Sequence, residues 1–339
     1  MAPNNPPLAR EISLQRIVAQ RLAGPKFPDP AAAVSHMSAM QGQNLRAASE
    51  AVALRCAPGA PPLAEALAAG TVVRSWPMRG TLHLATAADL PAMLTLTATR
   101  QLHTDRRRRE ELGLTEEIIS RAAALALSLI DDGGPASRAD LTSAWANLGV
   151  ERSGVAYHLT YTLAVRGVLV QGPPHPERAG EQLFVRYESL VGPAPEAAPE
   201  ELMAAWAARF GRSHGPVTEK DLSRWTGLPI TTCRAGLRAA VAAGELEEVD
   251  LDGTTYWRDP ELPDLLDAHR EEAEDELLLP AFDELILGYA DRSATLRTEH
   301  ELAVVPGKNG VFRPVAVRDG RAYGTWAGTA QEPEIAPFA

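Results

Sequence analysis

Only two cysteines, Cys56 and Cys233, occur in 339 residues. They are far apart and form no CxxC pair, so neither a zinc site nor a disulfide framework is suggested, and both are expected to be small core residues. No apolar run approaches the roughly 18 residues needed to span a bilayer, and the N-terminus lacks the basic-then-apolar pattern of a secretory leader. A cytoplasmic protein is therefore expected. A phosphate-cradling glycine loop, HExxH and GxSxG are also missing, so no metal and no cofactor are expected. An overall cationic surplus is lacking too: the net charge is -11. That sum argues at first against a nucleic-acid partner, because binding DNA requires cations to replace condensed counterions.

The distribution of charge matters more than the sum. Residues 1–109 carry 13 Arg and Lys against 6 Asp and Glu, whereas the remainder carries 20 against 38. The first third is basic and the rest acidic. Arginine supplies 30 of the 33 cations, which suits phosphate contacts and equally fits an Ala- and Arg-rich composition. With 45% apolar and 23% charged residues, the chain is long enough for two to four compact units.

Two stretches 81 positions apart spell the same turn: Gly134-Pro135-Ala136-Ser137-Arg138-Ala139-Asp140-Leu141 and Gly215-Pro216-Val217-Thr218-Glu219-Lys220-Asp221-Leu222. In each, a Ser or Thr three residues before an Asp opens an apolar-periodic helix, the pattern of a capped N-terminus. Each then runs into a second helix ending at Gly167 or Gly244, followed by β-prone runs such as Val168-Leu169-Val170 and Thr254-Thr255-Tyr256-Trp257. Helix, turn, helix, hairpin is a winged-helix order. The N-terminal third ends similarly, with Ala69-Gly70 before Thr71-Val72-Val73. The expected fold is mainly α with β wings (α+β): winged-helix modules over 1–109, 110–191 and 192–260, the last including a Pro/Ala linker at 192–199, then a small α/β or β-rich domain over 261–339.

Within the first module, Leu14 to Leu22 is predicted to be a helix capped by Ser13. Asp29-Pro30 opens a second helix, expected to stop near Gly42, and Asn44 caps a third running to about Cys56. Gln41, Gly42 and Gln43 therefore fall in a break between helices. On a helix, positions i and i+2 diverge; in an extended segment they face the same way. Residues 71–84 form an expected hairpin with its tip at Trp76-Pro77-Met78-Arg79-Gly80, and Arg106, Arg107, Arg108 and Arg109 follow on a helix. The polar loop 172–181 contains His175 and Arg178. Turns are expected at Asn309-Gly310 and Asp319-Gly320.

Four segments, in order, resemble the tandem winged-helix DNA glycosylases of the AlkZ and YcaQ type. They are Gln41-Gly42-Gln43, Trp76-Pro77-Met78-Arg79-Gly80-Thr81-Leu82-His83-Leu84, Leu279-Pro280-Ala281-Phe282-Asp283-Glu284 with Gly288-Tyr289 and Asp291-Arg292, and Asn309-Gly310-Val311-Phe312-Arg313-Pro314 with Gly324-Thr325-Trp326. The likeness spans about residues 12–327 and takes the Gln-x-Gln form. It implies excision of N-alkylated purines, in some members of bulky or crosslinked adducts, from double-stranded DNA, leaving an abasic site. The middle residue, usually hydrophobic in that family, is Gly42 here.

Alkylation at N7 or N3 makes a purine cationic, so it departs neutral without a general acid; a placed water and stabilisation of the sugar cation are still needed. Two amides can hold a water but cannot take its proton, a loss of about 10² to 10⁴ in rate that suits only labile lesions. Gln41 and Gln43 are the catalytic candidates. Arg79 is a candidate for a groove or phosphate contact, Trp76 and Met78 either wedge between base steps or pack on the helices, and His83 either binds phosphate or sits in the core. Arg106–Arg109 form either a solvated face or a backbone contact, and His175 and Arg178 are further DNA candidates. Asp283 reads as architectural. A monomer acting at the nucleoid is expected. The rival reading is a non-catalytic DNA-binding protein on the same scaffold.

Overall fold

The computed structural model describes residues 6–149, 153–178, 180–307 and 310–339. The chain separates into two compact units, one made of Met1–Ala60 with Glu200–Ala339 and the other of Pro61–Pro199. The architecture is α+β, helices interspersed with hairpins.

Both copies of the repeated turn are built alike. Ser137 and Thr218 each accept the N–H of the Asp three residues on, Asp140 or Asp221, whose carboxylate accepts the capping residue's own N–H. Two otherwise orphaned donors are thereby satisfied at each helix start. The residue before each cap also bridges the second strand of the following hairpin: Ala136 exchanges both backbone hydrogen bonds with Phe184, and Val217 with Trp257. Gly167 and Gly244 end the second helices at φ 69° and 73°, a conformation in which a Cβ is strained.

In the unit Pro61–Pro199, strands Val72–Met78 and Thr81–Thr86 form the expected hairpin and strands Leu169–Pro174 and Gln182–Arg186 a second, all in one antiparallel sheet. Helices Leu90–Thr104, Glu116–Gly133 and Val155–Val165 accompany it. Its core gathers Trp76, Leu82, Ile119, Trp145, Leu159 and Phe184.

In the other unit, helices Glu219–Thr226 and Ile230–Ala242 precede the hairpin Glu247–Leu251 and Thr254–Arg258. A four-stranded antiparallel sheet follows, with Leu277–Leu279, Val315–Arg318, Arg321–Gly328 and Pro333–Pro337 in that spatial order. Asp319 and Gly320, both at positive φ, make the expected turn within it. Asn309 of the other expected turn lies outside the described residues. The sheet shares its core with the first helix: Leu14, Ile17 and Val18 pack with Leu279, Ile286, Val315 and Val317. That helix is Pro6–Ala19, not one that starts at Ser13. Ser13 is buried within it and bonds the Thr295 hydroxyl at 2.7 Å, so tertiary pairing, not capping, uses its oxygen.

Candidate active site

Asp29 caps the helix Pro30–His36 and Asn44 caps Leu45–Ala53, each side chain accepting the N–H three residues on. The first of these helices stops well before Gly42. Ser38 adopts φ 65°, which no helix tolerates, and the chain leaves as the short strand Met40–Gln41 with Met40 buried. Gly42 is buried and Gln43 lies exposed in a bend. The glutamine segment is therefore non-helical, as its position between caps predicts.

A buried polar layer holds this segment from behind. Glu284, only 1% exposed, accepts the Gln41 backbone N–H through Oε1 at 2.9 Å and the Trp225 indole N–H through Oε2 at 3.1 Å. His214 Nε2 stands 3.8 Å from the same Oε2. Asp283, the neighbouring acid, turns elsewhere. It takes a two-pronged hydrogen bond from Arg55 at 2.9 and 3.1 Å and accepts the Leu285 N–H at the start of the helical turn Glu284–Leu287. Arg55 also donates to Gln20 Oε1, Gln20 to the Tyr289 hydroxyl, and that hydroxyl to the His214 carbonyl. Arg16 covers the Tyr289 ring at 3.7 Å. Every one of these groups is buried, and in such a setting each needs its partners. Burial drives the His214 imidazole below its usual range, with Glu284 opposing, and pushes the Tyr289 phenol up.

Gln41 Oε1 is buried and accepts no hydrogen bond among the described residues. A desolvated amide oxygen in that state is an acceptor for an incoming donor. No group of three or more His, Cys, Asp or Glu that would hold a metal occurs among the described residues.

The hairpin candidates separate into two kinds. Trp76 and Met78 are buried, Trp76 edge-on to Tyr157 and Tyr161 at ring distances of 6.2 and 6.1 Å. The wedge expectation is corrected for both: the turn is confined to Arg79 and Gly80, each at positive φ, and the residues before it stay in the strand. Gly80 N–H and the Trp76 carbonyl are both tied to the Gln101 amide. His83 is likewise buried, its Nδ1–H donating to the Thr81 carbonyl at 2.9 Å while Nε2 accepts from Arg79 at 3.1 Å. His83 thus braces Arg79, which stays partly exposed.

Arg106, Arg107 and Arg108 are exposed and pair with Glu110 or Glu111 on their own helix. Arg109 departs from them: it is buried, donates to the Leu102 carbonyl and faces Asp105 and Glu116, which takes it out of any DNA surface. Arg178 donates to His175 Nε2 and pairs with Glu181 in its exposed loop.

Sequence reasoning missed Gln20, Arg55, His214 and Trp225. Each is a single residue on a helix or at its end, with no local pattern to mark it. Glu284 is visible within the third motif, and the two adjacent carboxylates serve different partners, Glu284 the Gln41 N–H and the Trp225 indole, Asp283 the Arg55 guanidinium.

The family model described as DNA glycosylase AlkZ-like matches residues 34–335. The chain belongs to the AlkZ-like DNA glycosylase family. It is a monofunctional glycosylase, a hydrolase, and the binding-only reading gives way to that membership. Among its relatives is an interstrand DNA cross-link repair glycosylase of Streptomyces sahachiroi, 27% identical over 97% of this chain and 90% of the relative. The solved structure of the Streptomyces sahachiroi DNA glycosylase AlkZ is similar at a TM-score of 0.76 and 26% identity, again over 97% of this chain and 90% of that one.

Proposed function

We propose that Gln41 and Gln43 hold the water that attacks the anomeric carbon of a cationic N-alkylpurine nucleotide in duplex DNA. The observation that carries this reading is the buried, unsatisfied Gln41 amide oxygen in an extended segment, with Gln43 two residues on and exposed. The water oxygen bonds to the anomeric carbon as the glycosidic bond breaks, and the base leaves neutral with the bonding electrons. The proton from water goes to solvent, because neither carboxamide accepts it near neutral pH. Cationic charge on the departing base does the work a general acid does elsewhere.

Crosslinked and bulky purine adducts belong to the same substrate class, a reading supported by the name of the Streptomyces relative. The duplex is engaged by Arg79, braced by His83, and by the exposed Arg106, Arg107 and Arg108, with His175 and Arg178 as a further contact. The protein acts as a cytoplasmic, nucleoid-associated monomer. Among the described residues no helix is long and apolar enough to cross a membrane. The four-part module division of the sequence belongs to this proposal: three helix-and-hairpin modules contact DNA, and the helical turn Glu284–Leu287 of the terminal domain braces the glutamine segment.

The test is release of free base from a set of duplexes carrying defined lesions: 7-methylguanine, a bulky N7 adduct, an interstrand crosslink and undamaged guanine. Release from the cationic lesions and not from guanine is expected. Tight binding of all four with release at background is the result that defeats it.

A further inference from the structure

Gly42 leaves the glutamine segment without a side-chain anchor at its centre, and glycine is the most conformationally free residue. Something else must fix the backbone if two amides are to meet one water within hydrogen-bond reach. Glu284 does so from a distant part of the sequence. Its Oε1 accepts the Gln41 N–H at 2.9 Å, one residue before Gly42. Its own position is fixed by the Asp283–Arg55 pair at the start of the same helical turn and by the Trp225 indole. We infer that Glu284 is a positioning residue for the hydrolysis, a buried carboxylate that fixes the Gln41 backbone and so sets the angle at which the two amides present themselves. The inference rests on the reading of Gln41 and Gln43 as the water-holding pair.

The geometry makes a specific demand on the chemistry of position 284. Two donors, the Gln41 N–H and the Trp225 indole N–H, converge on the two oxygens, so both oxygens must accept. A glutamine there offers one oxygen and one NH₂; whichever way the amide turns, a donor meets a donor. Replacing Trp225 by Phe removes one of the two. The NH₂ then has an acceptor in His214 Nε2, which stands 3.8 Å from Glu284 Oε2. That nitrogen is an acceptor in the tautomer in which Ser213 donates its hydroxyl proton to the Arg209 carbonyl at 2.8 Å and the Ser213–His214 contact, also 2.8 Å, is donated by Nδ1–H. Glu284→Gln with Trp225→Phe is therefore a matched pair.

The experiment measures single-turnover release of 7-methylguanine and, separately, equilibrium affinity for the same duplex. The full chain is compared with Gln43→Ala, Glu284→Gln, Trp225→Phe and the double Glu284→Gln/Trp225→Phe. Glu284→Gln is expected to slow release tenfold or more with affinity within about twofold of the parent, and the double is expected to recover to within about threefold of Trp225→Phe. A purely structural role moves melting temperature and leaves the rate constant of the folded fraction alone, with no recovery in the double. A parental rate in Glu284→Gln, or a double no faster than Glu284→Gln, overturns the inference. Should Glu284→Gln not fold, the double against Trp225→Phe decides: matching rates support it and a tenfold deficit refutes it. Unimpaired release by Gln43→Ala defeats the underlying reading instead, whereas loss in Gln43→Ala with a parental Glu284→Gln defeats only this inference.

Discussion

Arg55 and Asp283 lie 228 residues apart in sequence and meet as a fully buried ion pair, the two terminal guanidinium nitrogens on separate carboxylate oxygens at 2.9 and 3.1 Å. The pair joins the end of the helix that follows the glutamine segment to the turn that carries Glu284. Breaking one side leaves an uncompensated buried charge, so Arg55→Met or Asp283→Asn is expected to destabilise the protein by about 3–5 kcal/mol. Replacing both residues by apolar ones, Arg55→Met with Asp283→Leu, is expected to cost less than either single change. Urea denaturation of the four proteins checks both statements.

His36 provides a pH signature of folding. Its ring packs on Phe27 at 4.9 Å, its Nε2–H donates to the Ala19 carbonyl, and burial holds its imidazole down at about 4. Below pH 6.5 the unfolded chain takes up a proton that the folded chain refuses, so the stability associated with this group is present above 6.5 and is lost as pH falls toward 4. The full excursion is about 3 kcal/mol. His36→Gln is expected to flatten the fall in stability between pH 7 and 4.5 relative to the parent, read from melting curves across that range.

Trp76 belongs to the core and not to a DNA wedge, and the two placements differ in what its removal does. Because its ring is enclosed with Tyr157 and Tyr161, Trp76→Ala is expected to cost about 3–5 kcal/mol of stability. DNA affinity, measured at a temperature where the variant is folded, is expected to stay within about twofold of the parent. A large loss of affinity in a fully folded variant contradicts its placement in the core.

The arginine run divides by exposure. Changing Arg106, Arg107 and Arg108 together to Gln is expected to weaken DNA binding and to lower the slope of log affinity against log salt by about 0.9 for each phosphate no longer neutralised. Arg109→Gln is expected to leave that slope unchanged and lower the melting temperature, because Arg109 is buried against Leu102, Asp105 and Glu116. Salt titrations of binding distinguish the two.

What the sequence made legible is local chemistry. Caps at Asp29, Asn44, Ser137 and Thr218 announce themselves because their oxygen and the N–H it accepts are three residues apart. The glutamine segment's place between helices follows from those caps. Ser13 misled because a hydroxyl suited to capping is equally suited to a buried partner, here Thr295. Nothing local reveals that Ser38 turns left-handed, so the preceding helix ends earlier than its apolar spacing suggests. The layer behind the site is illegible for a deeper reason: Gln20, Arg55, His214 and Glu284 are brought together from four separate segments, and no window of sequence contains two of their partnerships.

The most direct test of the central claim, that two neutral carboxamides hydrolyse a bond already weakened by charge on the base, is single-turnover release of 7-methylguanine by the parent, Gln41→Ala, Gln43→Ala and the double variant, with affinity for the duplex measured alongside. The account predicts losses of about 10²-fold or more in each single variant at nearly unchanged affinity, and a double variant little worse than the worse single, because the two amides act on one water. Release rates within about twofold of the parent in both single variants contradict it.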